Sequence, residues 1–214
     1  MNKEEFLKAT KELGIYITEE QLEKLNHFYR LMIEWNGKIN LTRITEKEEV
    51  YLKHFYDSLT LQKVVDLNKV NTLCDVGTGA GFPGMVLKII FPHLKITLVD
   101  SLQKRVNYLK EIIKELELKD IEAIHARGEE FKGSFDVVTS RAVANIEKLV
   151  GYTMHLVAQN GVFVAMKGNI ESELTKEVKQ KLEKKYNFIS IEKFLLPQEN
   201  SNRCLIVMNN KKSM

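Results

Sequence analysis

Proline and cysteine are both scarce here, with 3 and 2 residues in a chain of 214. Few prolines and only 11 glycines exclude collagen-like and low-complexity chains, and with 44% hydrophobic and 29% charged residues the composition is that of an ordinary globular protein. Cys74 and Cys204 lie among strand-forming apolar residues, with no second Cys or His at metal-ligand spacing. The pattern predicts two core thiols and no metal site. No basic leader precedes an apolar stretch, because Met1 to Leu13 alternates as an amphipathic helix does. A cytoplasmic location is expected. The longest apolar runs, such as Met85 to Pro92, fall far short of the roughly 20 residues a bilayer span needs, so no membrane partner is expected. Asn40-Leu41-Thr42 fits a glycosylation sequon, but without a secretory signal the match is discarded. Strong charge of one sign is also missing. The net charge is +3 and the pI about 8.7, under the level of about 9 that marks a strongly basic nucleic-acid binder. Any nucleic-acid site must therefore be a local patch.

The first seventy residues read as helices. Thr18-Glu19-Glu20-Gln21 is a capping box leading into Leu22, Leu25, Phe28, Tyr29, Met32 and Ile33 at helical spacing. Asn36-Gly37 is the expected stop, and Thr45-Glu46-Lys47-Glu48 carries the same capping signature ahead of a helix to about Leu61. From Asn71 onward, short β-branched runs alternate with helical segments, which is the signature of parallel βαβ units. The predicted strands are Thr72 to Val76, Ile96 to Asp100, Ile121 to His125, Phe135 to Ser140 and Val162 to Lys167. Phe188 to Phe194 and Arg203 to Met208 are expected as a final antiparallel pair. The fold expected is α/β: a Rossmann-like, mostly parallel seven-stranded sheet with an antiparallel last strand. Residues 1–70 form an N-terminal helical extension and residues 71–214 the catalytic domain, in one compact unit.

Ligands of open α/β sheets bind at the carboxyl ends of the strands, near the reversal of strand order. The first strand runs there into Gly77-Thr78-Gly79-Ala80-Gly81, followed by Phe82-Pro83-Gly84 and an apolar helix. Glycines suit a turn with unusual dihedrals that a ligand approaches closely. A dinucleotide loop would place a third glycine at position 82, where this chain has Phe. Glycine at every second position, Asp75 before the loop and Asp100 ending the second strand suit an amino-acid-bearing nucleoside better. The expected cofactor is S-adenosylmethionine, with Asp100 accepting from the ribose hydroxyls and Asp75 helping to anchor the methionine ammonium through water or backbone.

The reaction class is read by exclusion. Enzymes that methylate exocyclic amines place an Asn or Asp, two prolines and an aromatic after the fourth strand, where this chain has Thr139-Ser140-Arg141-Ala142. Attack through pyrimidine carbon-5 needs a reactive cysteine, and neither Cys74 nor Cys204 suits. A ring nitrogen with an available lone pair needs neither device. Positioning then does most of the work, since holding nucleophile and methyl at about 3 to 3.5 Å can supply on the order of 7 to 11 kcal/mol. Arg141, Lys167 and Arg203, at strand ends on one sheet edge, are the candidate catalytic residues, gripping phosphates or purine acceptors as loop-end cations. His54, Asp57 and Ser58 resemble a hydrolase trio by composition. Crowded on one helix, they are assigned instead to packing or substrate-side contacts. Trp35, Phe28 and Tyr29 are read as core. A small-molecule or protein acceptor, or a donor-binding module without catalysis, remains open at this point.

Seven segments carry a family resemblance: WNGKINLTRI at 35–44, HFYDSL at 54–59, DVGTGAGFPG at 75–84, LVDSLQKRVNYL at 98–109, ARGEEF at 126–131, FDVVTSRAVA at 135–144 and MKG at 166–168. Over nearly its whole length the chain resembles the GidB family, bacterial small-subunit ribosomal RNA guanine-N7 methyltransferases. The resemblance implies a donor site lined by Gly77, Phe82, Asp100, Ser101, Leu102, Gly128, Glu129 and Arg141, joined by Asp75 and Gly79 from the loop. It implies methylation at N7 of a guanine in a decoding-region stem-loop of 16S ribosomal RNA, with that RNA or the small ribosomal subunit as partner. A monomer is expected.

Overall fold

The computed structural model describes residues 1–141 and 144–211. Ala142, which ends the segment used to exclude amine-directed chemistry, and Val143 lie outside the described residues, as do the last three. Two capped helices open the chain. In α1 (Lys3–Glu12), Asn2 accepts from Glu5 N and Glu5 reaches back; in α2 (Glu19–Ile39), Thr18 and Gln21 form the predicted box. Helix α2 runs past Asn36-Gly37 and stops at Asn40, whose φ is +51°. The carbonyl oxygen of the Asn36 side chain accepts from the N–H groups of Leu41 and Thr42, so this residue fastens the chain beyond the helix while remaining inside it.

The second predicted capping box does not form. Glu46 occupies the cap position of α3 (Lys47–Val50) without a side-chain bond, while the carbonyl of Thr45 accepts from the hydroxyl of Tyr29. The segment continues as a π-helical turn (Tyr51–Tyr56), α4 (Asp57–Leu59) and a 3-10 turn (Thr60–Lys63). This change of winding decides where His54 and Asp57 point.

Strands β1 (Thr72–Val76) and β3 (Ile121–His125) occupy the predicted spans, and β2 (Lys95–Asp100) and β4 (Phe135–Arg141) each gain one residue. Strand β5 (Val157–Lys167) starts five residues early. Gln159-Asn160-Gly161 reads as a turn, but a Cβ on Gly161 would stand 2.7 Å from the carbonyl oxygen of Phe135, so glycine there lets β4 approach. Strands β6 (Tyr186–Leu195) and β7 (Asn202–Asn210) form the expected antiparallel pair and run longer, the ladder extending from Tyr186↔Asn210 to Leu195↔Asn202. Sheet order is β3-β2-β1-β4-β5-β7-β6, with β1 to β5 parallel and β7 antiparallel to both neighbours. Strand order therefore reverses between β1 and β4.

Period-two alternation divides the apolar residues between two cores. Leu73, Val137, Val164, Met166, Leu205 and Val207 face α5 (Gly84–Ile90), α6 (Gln103–Glu115) and the N-terminal helices. Cys74, Val138, Phe163, Cys204 and Ile206 face α7 (Ile146–Thr153) and α8 (Lys176–Glu183). Both cysteines are buried there, as expected. Phe28, Phe55 and Phe82 join the N-terminal helices to the sheet, with Phe28 at 6.1 Å from Phe55 and 5.4 Å from Phe82 between ring centroids. Phe28 is core; Trp35 and Tyr29 are only partly buried, Trp35 edge-on to Tyr108. Among the described residues, no helix is long and apolar enough to cross a membrane.

Candidate functional site

The parity of a strand predicts which face its last residue serves. Arg141 shares parity with Val137, and Arg203 with Leu205, so both belong to the face covered by the N-terminal helices. Lys167 shares parity with Phe163, on the other face. Two cavities open along the carboxyl edge, one at the ends of β1 to β3 and one at the ends of β4, β5 and β7.

Backbone geometry builds the first. Gly77, Gly79 and Gly81 have φ of +72°, +61° and +99°, a region that L residues with a Cβ rarely enter. Oδ2 of Asp75 accepts from the Thr78 hydroxyl at 2.7 Å and from Gly84 N at 2.9 Å, tying the loop to the start of α5. Oδ2 of Asp100 accepts from Gly79 N, and its Oδ1 from Leu102 N, both at 2.9 Å. The resulting cavity of about 350 Å³ is lined by Gly77, Asp100, Ser101, Leu102, Gly128 and Glu129 among others. Gly128 closes one wall: a Cβ there would stand 2.8 Å from Cγ1 of Val76.

Six of the expected donor-site residues thus converge, and four lie elsewhere. Gly79 acts through its N–H on Asp100. Asp75 is fully buried behind the loop; burial raises its carboxyl to about 6, against the pull of its bonds from Thr78 and Gly84. Its Oδ2 bonds fasten the loop to the start of α5, and it is not among the residues lining the cavity. Phe82 and Arg141 belong to the second cluster, stacked on each other with the guanidinium carbon 5.2 Å from the ring centroid.

That second cavity, about 340 Å³, brings together Arg141, Lys167 and Arg203, as expected, with Lys53, His54 and Asp57. Arg141 is no solvated loop-end cation. Nη1 donates to the Lys53 carbonyl at 3.0 Å and to Oδ2 of Asp57 at 3.1 Å, and Nη2 to Nδ1 of His54 at 3.2 Å. Arg203 Nε donates to the other oxygen of Asp57 at 2.9 Å. Lys167, also largely buried, donates to the Ala144 carbonyl at 2.5 Å and pairs with Glu173 at 2.8 Å. The His54 ring lies flat on Phe82, with centroids 4.3 Å apart. Burial first, and the adjacent Arg141 second, depress His54 to about 3, so the ring is neutral. Nδ1 lies 3.2 Å from both Nη2 of Arg141 and the Lys53 carbonyl oxygen, and Nε2 lies 3.0 Å from the Thr42 hydroxyl.

His54 and Asp57, expected in packing or substrate-side contacts, stand at this cavity, and Lys53, which the sequence did not single out, joins them; its signal was its place on the same helix. Ser58 is structural, its hydroxyl donating to the His54 carbonyl at 2.5 Å. Among the described residues, no group of three or more His, Cys, Asp or Glu is arranged to hold a metal ion. The arrangement offers one cavity suited to a nucleoside, with an acid and backbone groups at its wall, beside a second offering planar cations and stacking surface for an acceptor base.

The family model described as rRNA small subunit methyltransferase G matches residues 21–203. The ribosomal RNA small subunit methyltransferase G proteins of Bacillus pumilus and Bacillus subtilis are each 46% identical over 220 residues, covering 99% and 100% of this chain and 92% of their own length. The Macrococcus caseolyticus protein of the same name is 50% identical over 173 residues, 78% of this chain and 73% of its own. Among solved structures, a SAM dependent methyltransferase from Aquifex aeolicus superposes with a TM-score of 0.57 at 17% identity, over 82% of this chain and 97% of that one. A ribosomal protein L11 methylase from Lactobacillus delbrueckii subsp. bulgaricus gives 0.56 at 15%, over 80% and 83%. At these identities the structural likeness speaks for the fold.

Proposed function

Because the chain belongs to the rRNA small subunit methyltransferase G family, we propose that its two cavities hold a methyl donor and a guanine, and that it methylates that base of 16S ribosomal RNA at N7. The donor is S-adenosylmethionine, which supplies a methyl group activated on a sulfonium. The first cavity fits it: Asp100, at the end of β2, offers acceptor oxygens to a vicinal diol, and the backbone of Gly77 lets an adjoining chain lie close. Ser101, Leu102, Gly128 and Glu129 complete the walls around the base.

The observation that carries the acceptor side is the convergence of Arg141 from β4 and Arg203 from β7 on one carboxylate beside Lys167. Guanine presents O6 and N7 as acceptors along one edge, and planar guanidinium groups suit O6 and the flanking phosphates. N7 carries a lone pair and no proton, so the site has none to abstract. Its residues orient the base, exclude water and hold the nucleophile in line. A splayed base from an unpaired loop would enter such a crevice, and the reading takes that loop to be a stem-loop of the decoding region and the protein to act as a monomer.

Incubating the protein with labelled donor and small-subunit ribosomal RNA lacking the modification, as free RNA, assembling particle and finished subunit, should label one guanine in at least one form. Intact donor binding with no incorporation into any of the three would overturn the reading.

A further inference from the structure

Three groups from one short stretch of helix grip Arg141: the Lys53 carbonyl, the His54 ring and the Asp57 carboxylate. Their convergence follows from the π-helical winding of Tyr51–Tyr56. In an α-helix the N–H of Asp57 would donate to the Lys53 carbonyl four residues back. Here it donates to the carbonyls of Leu52 and His54 instead, passing over Lys53. The skipped carbonyl accepts from Arg141 at 3.0 Å. Extra residues of this kind are often found where a helix serves a site.

Asp57 completes the socket. Its side chain is 7% exposed, and its two oxygens take one arginine each. Those arginines come from different strands, β4 and β7, and as like charges they repel; the carboxylate between them removes that repulsion and fixes both planes. We propose that Asp57 is a positioning residue for methyl transfer, holding Arg141 and Arg203 as one rigid fork from within the π-wound segment. The inference rests on the reading that these arginines orient the acceptor guanine. Each carboxylate oxygen of Asp57 is engaged by one arginine, so it acts through the two guanidinium groups.

Positioning and simple charge balance make opposite predictions for RNA. Asp57→Asn removes a negative charge from a cationic pocket, which strengthens attraction for phosphates. If Asp57 only balances charge, the variant binds RNA as well or better and turns over as wild type does. If Asp57 positions, kcat falls about tenfold to a hundredfold while KM for RNA stays level or drops, and donor affinity is unchanged. Asp57→Glu keeps the charge but displaces the carboxylate by one methylene, so the proposal requires a similar loss of kcat with the native charge intact. It is tested by steady-state transfer to small-subunit RNA, with calorimetric donor binding and thermal unfolding on each variant. Wild-type kcat in either variant overturns the proposal, as does a loss of donor affinity that tracks a loss of folding in both. A wild-type protein that transfers no methyl to any small-subunit RNA would overturn the reading beneath it instead.

Discussion

The backbone N–H of Gly79 donates to Oδ2 of Asp100 at 2.9 Å, so the glycine loop after the first strand and the acid ending the second hold each other in place. Gly79 sits at φ +61°, and a Cβ added there would meet only the Gly77 carbonyl oxygen, at 4.0 Å. Dihedral strain therefore restricts this position, since there is space for a methyl group. Gly79→Ala is expected to cost about 1 to 2 kcal/mol of local strain. Relieving it by turning the peptide releases Asp100, and donor affinity should fall about tenfold, with a larger loss in Gly79→Val, as read by calorimetry. Unchanged affinity in both variants would detach the loop from the donor.

Arg141→Ala should damage the fold as well as the reaction. The side chain is 15% exposed and bonded to three partners, and its removal leaves Asp57 buried with Arg203 alone. A loss of about 2 to 4 kcal/mol in denaturant unfolding is expected, with transfer falling further than the unfolded fraction accounts for. A variant as stable as wild type would show that the buried network contributes nothing to folding.

Two buried groups make stability depend on pH in opposite directions. His54 titrates at about 3 in the folded chain against an ordinary 6.5, so the unfolded chain takes the proton first and stability is lost as pH falls below 6.5. Asp75 titrates at about 6 against an ordinary 3.8, so the folded chain takes the proton first and stability is lost as pH rises from about 4 to 6. Over that window each is worth about 2 kcal/mol, and the wild-type profile should be shallow. Asp75→Asn should leave a stability that rises with pH between 4 and 6.5, and His54→Asn one that falls. Denaturant unfolding at several pH values checks both slopes.

Much of this architecture is legible in the sequence, because strand parity and helix caps are local signals. Thr72–Val76 and Ile121–His125 are bounded by plain changes of pattern. The early part of β5 is not, since Gly161 signals a turn unless the backbone of β4 is known to pass beside it. The glycine loop, Asp100 and the three cations of the carboxyl edge stand where their spacing puts them, while Asp75 and Phe82 differ for reasons of depth. Asp75 is oriented by the closeness of α5, and Phe82 turns into the aromatic cluster beneath the N-terminal helices. The role of Asp57 is less legible for another reason. Its place at the site depends on the winding of Tyr51–Tyr56, which no periodicity count announces, and on two arginines 84 and 146 residues away in the chain.

The central claim concerns which atom of which base receives the methyl group, and nucleoside analysis of the product tests it most directly. After transfer from labelled donor, small-subunit ribosomal RNA is digested and its methylated guanosines are separated. The account predicts label in 7-methylguanosine alone, from a single position. Label in guanosine methylated at N1 or the exocyclic N2, or in another nucleoside, would contradict it.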